Sequence, residues 1–162
     1  MRAAPLLLLL AVSGAQAADL PAVDVAEVRV EKAARRLVLL DDAGATVRTY
    51  AGIQLGDEPL GAKHFQGDER TPEGRYTVDF GNENSAYFLS LHISYPSPTD
   101  SNFAAAQGRN PGGDIFIHGQ PNGLPAGRMP GDWTDGCIAL SNAEIEELWA
   151  LVPDGTPIEI VP

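Results

Sequence analysis

The sequence predicts a mainly β domain with one short helix near its C-terminus, and three observations carry that prediction. Short runs of β-formers alternate with turns rich in Gly, Pro, Asn and Asp. Only residues 141–152 place apolar side chains at sustained helical spacing. No internal repeat and no linker-like break divides the 162 residues, so a single domain is expected.

The chain opens with an export signal. Arg2 supplies a positive start, residues 3–12 an apolar run and Ala15-Gln16-Ala17 a small-x-small cleavage site, so residues 1–17 are read as a leader and 18–162 as the mature domain. No later window approaches the roughly 20 apolar residues of a membrane span. Residues 28–30 and 37–40 read as strands around a polar turn at 32–36. Asp41-Asp42-Ala43-Gly44 then turns the chain into a strand over 45–53. Residues 56–74 form a long Gly-rich charged loop, of a length that is uncommon unless it serves function. Strands over 75–80 and 87–93 follow. Tyr95-Pro96-Ser97-Pro98-Thr99-Asp100 opens an irregular segment, with one helical turn over 103–107. Residues 114–118 form a short buried strand ending in His118, and four glycines and three prolines over 119–131 suit a loop around a cleft. Ser141 is an N-cap with Glu144 as its capping-box partner; Ile145, Leu148, Trp149 and Val152 share one helical face. Pro153-Asp154-Gly155 ends that helix, and residues 157–161 make a last edge strand.

Charge and cysteine content narrow the function. A formal net charge of −11 argues against nucleic acid and anionic membrane surfaces as partners. The one cysteine, Cys137, can form no internal disulfide, and an unpaired thiol in an exported chain is either buried or reactive. A cysteine nucleophile needs a base to take its proton, and an imidazole can then hold the charge as an ion pair. His118 is the candidate base. His64 lies in a polar loop. His92, within a strand, could line the same cleft, and Trp133 is a candidate substrate platform. The N–H groups at Thr134-Asp135-Gly136-Cys137 could form an oxyanion hole. No acidic residue completes a triad, so a backbone carbonyl is left to orient the imidazole.

Ile117-His118-Gly119, followed by Thr134-Asp135-Gly136-Cys137-Ile138-Ala139-Leu140, resembles the signature of the YkuD-type L,D-transpeptidase family. Val30-Glu31-Lys32 with Arg36-Leu37-Val38-Leu39 resembles its opening hairpin. Gly67-Asp68-Glu69-Arg70-Thr71-Pro72-Glu73-Gly74-Arg75-Tyr76 resembles its Gly-Asp-x-x-Thr-Pro segment. The resemblance implies a β-sandwich-like catalytic domain, with a short helix after the nucleophile, acting on peptidoglycan stem peptides in the periplasm or cell envelope. It implies that Cys137 attacks the L-centre carbonyl of a donor tetrapeptide and expels D-alanine, leaving a thioester that an amine resolves. His118 would be base and then acid, the Gly119 carbonyl its orienter, and Gly136 and Cys137 N–H the oxyanion donors. Neither metal nor other cofactor is implied, and carbapenems are expected to acylate Cys137.

Two positions depart from the family pattern. Asp135 stands where a His is common, and Ala139 where an Arg is common. Asp135 facing the sulfur would oppose ionisation, so it is expected to point away. Loss of the Arg removes a carboxylate anchor. The Asp-Trp-Thr-x-Gly-Cys-Ile-Ala form resembles a branch that includes a hydrolase of links between peptidoglycan and a wall-attached protein, so hydrolysis is the alternative to transfer. A non-catalytic cell-wall-binding domain with an inert Cys137 is the alternative of another class. A metal site is disfavoured because His64, His92, His118 and Cys137 lack close ligand spacing.

Overall fold

The computed structural model describes residues 24–124 and 126–162, and the expected leader over 1–17 lies outside them. The chain is mainly β: β1 (Glu27–Glu31), β2 (Arg36–Leu40), β3 (Thr46–Ala51), β4 (Gly74–Ser85), β5 (Phe88–Ile93), α1 (Pro98–Ala106), β6 (Ile115–His118), β7 (Ile138–Ala139), α2 (Asn142–Leu151) and β8 (Thr156–Val161). The strands form one mixed sheet in the order β3-β2-β1-β8-β4-β5-β6-β7. Just past β3, the Gln54 N–H donates to the Ala139 carbonyl at 3.0 Å, and the Ala139 N–H returns the bond at 2.8 Å. This antiparallel bridge joins a continuation of the first edge to β7, the last. The sheet is thereby drawn around its own core.

Period-two alternation explains the core. Val28 and Val30 of β1, Leu37 and Leu39 of β2, and Ile158 and Ile160 of β8 turn inward with at most 1% exposure; the residues between them in β1 and β8 are partly exposed, while Val38 of β2 is buried on the other face. Leu91, Ile93, Ile115 and Ile117 continue the layer, and Ile145 and Leu148 of α2 cover it beside β5. Each such side chain contributes about 1.5–3 kcal/mol on burial. The capping box of α2 is present, with the Ser141 hydroxyl accepting from the Glu144 N–H and the Glu144 carboxylate accepting from the Ser141 N–H. Gly81 of β4 lies under Trp149, where a Cβ would sit 2.4 Å from the indole ring, so this strand tolerates no side chain there.

Three expectations change. The first helix spans Pro98–Ala106, not one turn over 103–107, because Ser97 caps it, Pro98 occupies the first turn and Asp100 closes a second capping box. β4 continues to Ser85 through two register shifts, well past residue 80. β8 is central, parallel to β1 and antiparallel to β4. Pro157 fits there because pairing with β1 begins only at Ile158.

Candidate active site

The pairing of β6 with β7 brings His118 and Cys137 together. The two strands run parallel, with Ile117 opposite Ile138 and His118 opposite Ala139. Extending that register puts Cys137 beside Phe116, two residues from His118 and on the same face, which is the diagonal-neighbour position. The contacts agree: the Phe116 N–H donates to Cys137 Sγ at 3.4 Å, and the thiol donates to the Asp114 carbonyl at 3.5 Å. His118 Nδ1 lies 2.7 Å from the Gly119 carbonyl, which can only accept, so Nδ1 carries the proton and Nε2 is left as the base. The imidazole is 3% exposed. Tyr87 stacks on it at 4.5 Å and Trp133 meets it edge-on at 5.5 Å.

A stapled turn aims the cysteine. Thr134 Oγ1 donates to the Cys137 carbonyl at 2.7 Å and accepts from the Gly136 N–H at 3.2 Å. Gly136 has φ +123°, and a Cβ there would lie 2.4 Å from the Arg70 carbonyl oxygen, so both its conformation and its neighbour require glycine. That contact joins the Thr-Pro loop to the cysteine turn. The loop before the turn is fixed from the opening hairpin: Arg35 grips Asp132 through two bonds of 2.5 and 2.6 Å, and Asp132 also accepts from the Leu55 N–H at 2.9 Å. Gln54 and Gln120 complete the support. Gln120 Nε2 donates to Gln54 Oε1 at 3.1 Å and to the Leu140 carbonyl at 2.7 Å, and Gln54 Nε2 donates to the Met129 carbonyl at 2.6 Å.

Cys137 and His118 line a cleft of about 490 Å³ with Lys63, Glu69, Tyr87, Asp114, Trp133 and Asp135 among its walls. A second depression of about 280 Å³ shares Tyr87, Asp114, His118 and Cys137 and extends along Asn82, Ser85 and Phe116. Burial pushes the Cys137 thiol up to about 11; the Phe116 N–H opposes this, Asp135 adds to it, Lys63 opposes it and Asp114 adds to it. Burial also lowers His118, against the Gly119 hydrogen bond. Both shifts favour a neutral thiol beside a neutral imidazole. Asp135 is exposed, and the Glu69 carboxyl is raised by slight burial, by nearby Asp135 and by Asp57. Asp135 lines the cleft, and its charge reaches the sulfur.

Of the residues singled out from sequence, His118, Gly119, Trp133, Gly136 and Cys137 meet here. His92 does not join them. Its Nδ1 lies 2.6 Å from Asp79 Oδ1, its ring stacks on Phe80 at 4.5 Å, and it lines neither depression. His64 is turned to Phe103, 4.6 Å between rings. The Gly136 N–H, expected as an oxyanion donor, is engaged by Thr134. Ala139 is fully buried and paired on both sides, so a long cationic side chain has no room at that position. Sequence reasoning missed Tyr87, Thr134 and Lys63. Asn122 holds Tyr87 in place: its Oδ1 accepts from the Phe88 N–H at 2.8 Å and its Nδ2 donates to the Ser85 carbonyl at 2.9 Å. A threonine three residues before a nucleophile, in a motif already in view, was a usable signal for Thr134; nothing local marked Tyr87.

Fold and site together define a mainly β domain whose cleft joins a cysteine to a carbonyl-oriented histidine. The family model described as the YkuD L,D-transpeptidase catalytic domain matches residues 26–160, and the chain belongs to that family. Among solved structures, it is similar to the helical cell shape determining protein Pgp2 from Campylobacter jejuni, with 29% identity, a TM-score of 0.68, and coverage of 84% of this chain and 47% of that one. Bd1075 from Bdellovibrio bacteriovorus shares the fold at 23% identity and a TM-score of 0.59, covering 88% of this chain and 50% of that one. The L,D-transpeptidase from Xylanimonas cellulosilytica shares it at 17% identity and a TM-score of 0.58, covering 87% and 62%. The chain therefore spans about half the length of the first two. A comparison with curated proteins gives no significant match. Among the described residues, no helix is long and apolar enough to cross a membrane.

Proposed function

We propose that the chain is an exported cysteine-dependent L,D-transpeptidase acting on peptidoglycan stem peptides in the periplasm or cell envelope. The observation that carries this reading is the cleft shared by Cys137 and His118, with Nδ1 of the histidine committed to the Gly119 carbonyl and Nε2 free. Because thiol and imidazole rest neutral, the proton leaves Sγ for Nε2 as sulfur attacks the L-centre carbonyl. The Cys137 N–H is the proposed donor to the oxyanion, since the Gly136 N–H is held by Thr134. As the C–N bond breaks, the imidazolium returns its proton to the departing D-alanine amine, leaving the acyl group on sulfur. An acceptor amine then attacks the thioester, giving its proton to Nε2, and as the C–S bond breaks the imidazolium returns that proton to the departing sulfur, restoring the thiol. Water in the place of the amine gives hydrolysis of a crosslink or of a protein link. That second reading is favoured by Asp135 at the cleft, where the common family residue is His. Similarity to the Campylobacter protein supports a role in cell shape.

The test incubates purified protein and its Cys137→Ala variant with muropeptides and identifies products by mass. New 3→3 crosslinks formed only by the wild type support transfer. Loss of links without new ones moves the assignment to hydrolysis. Unchanged substrates with the wild type would overturn both and favour a wall-binding domain.

A further inference from the structure

The cleft is lined by three carboxylates, Glu69, Asp114 and Asp135, and by one fixed cation, Lys63. Such a wall repels an anionic substrate group at every point except one. Lys63 is an unusual cation, because its side chain is only 3% exposed and burying an ammonium is expensive unless it is paired. It is paired in part. Nζ donates to Asp68 Oδ1 at 2.9 Å and to the Phe65 carbonyl at 3.1 Å, which leaves one of its three N–H groups without a partner among the described residues. Asp68 is itself locked in place, accepting from the backbone N–H groups of His64 at 2.7 Å, Phe65 at 2.9 Å and Arg70 at 3.3 Å. Burial raises its carboxyl, and the backbone bonds from His64 and Phe65 together with Lys63 more than reverse that, so Asp68 is held as an anion that fixes Lys63 in place. The position two residues after Cys137 cannot supply a cation, since Ala139 is sealed into the sheet.

We infer that Lys63 is the carboxylate-reading residue of the cleft, placing one substrate carboxylate next to the scissile bond and so fixing the register in which a stem peptide meets Cys137. The inference rests on the acyl-transfer reading and names the group that selects its substrate. Two carboxylates of a donor tetrapeptide flank the scissile bond, that of the terminal D-alanine and that on the diaminopimelate side chain.

The experiment uses the full chain with Cys137→Ala to measure binding without turnover, by calorimetry. The ligands are the tetrapeptide acid, its C-terminal amide and its diaminopimelate amide. One amide is expected to bind at least about tenfold more weakly than the acid, the usual worth of a hydrogen bond to a charged group, and that amide identifies the source. In Lys63→Met the gap closes to within about twofold, whereas Lys63→Arg keeps it. Should Lys63→Met fail to fold, the Lys63 Cε resonance of the Cys137→Ala protein decides: it moves with the acid and not with the discriminating amide. Equal binding of all three peptides, no binding of any, or equal weakening of acid and amides in Lys63→Met overturns the inference. Turnover by wild-type protein is read in parallel. Binding with discrimination but no turnover removes the acyl-transfer reading alone, while turnover without discrimination removes the carboxylate site alone.

Discussion

A thiol held near 11 makes a quantitative prediction about the resting enzyme. An ordinary thiol at 9.0 is roughly one part in a hundred thiolate at neutral pH, and one at about 11 is roughly one part in ten thousand. The less acidic thiol is the better nucleophile once ionised, by about tenfold over two pH units at the usual Brønsted sensitivity. Cys137 should therefore react with iodoacetamide about tenfold more slowly than free cysteine, before any shielding by the cleft. Iodoacetamide is the suitable reagent because it is uncharged, whereas Glu69, Asp114 and Asp135 would repel iodoacetate. Rates are followed by intact mass across the neutral and alkaline range. They should climb about tenfold per pH unit toward 11 with no earlier plateau, and His118→Ala should leave the slope unchanged. A plateau below neutrality, or labelling at neutral pH as fast as that of free cysteine, would refute the reasoning and establish a preformed ion pair.

Other consequences follow from single contacts. Gly136→Ala forces a Cβ against the Arg70 carbonyl and a positive φ; turnover should fall about a hundredfold, as expected when a nucleophile shifts by about 1 Å, and thermal unfolding should report a loss of about 1–3 kcal/mol. Thr134→Val removes the donor to the Cys137 carbonyl and frees the Gly136 N–H, costing about 1–3 kcal/mol by denaturant unfolding. Arg35→Ala leaves the part-buried Asp132 carboxylate without its bidentate partner; stability should drop by about 1–2 kcal/mol, with turnover falling because the loop carrying Trp133 loosens. His118 is lowered by burial, so the unfolded chain binds the proton first as pH falls, and its contribution to stability is present above the ordinary value of 6.5 and lost below it. Unfolding midpoints should thus decline from about pH 6.5 downward less steeply in His118→Asn than in the wild type.

How much of this was legible in the sequence depended on the range of the forces involved. The alternation in β1 and β8 and the capping box at Ser141 are local, and each reads directly from neighbouring residues. The ordered motifs around His118 and Cys137 pointed to the site because parallel pairing of short strands turns a separation of 19 residues into a diagonal contact. What failed to read was long-range or hidden by punctuation. Ser97-Pro98 looked like a break but is a helix start, and Pro157 looked like an edge signal although β1 and β4 flank its strand. His92 sits on the correct strand, yet Asp79 and Phe80 hold its ring away from the cleft. Tyr87 reaches His118 only because Asn122, from a distant loop, clamps its hairpin, and Lys63 reaches the cleft only because Asp68 folds its loop back. Residue types alone also do not reveal the burial that favours the neutral forms of Cys137 and His118.

The central claim is that Cys137 carries the acyl group. Wild-type protein mixed with a carbapenem, and separately with a donor tetrapeptide, should show by intact mass and peptide mapping a single acyl adduct on Cys137. That adduct should be absent in Cys137→Ala and should form at least about a hundredfold more slowly in His118→Asn, the usual loss when a general base is removed. An adduct on any other residue, or link-forming or link-breaking activity retained by Cys137→Ala, would contradict the account.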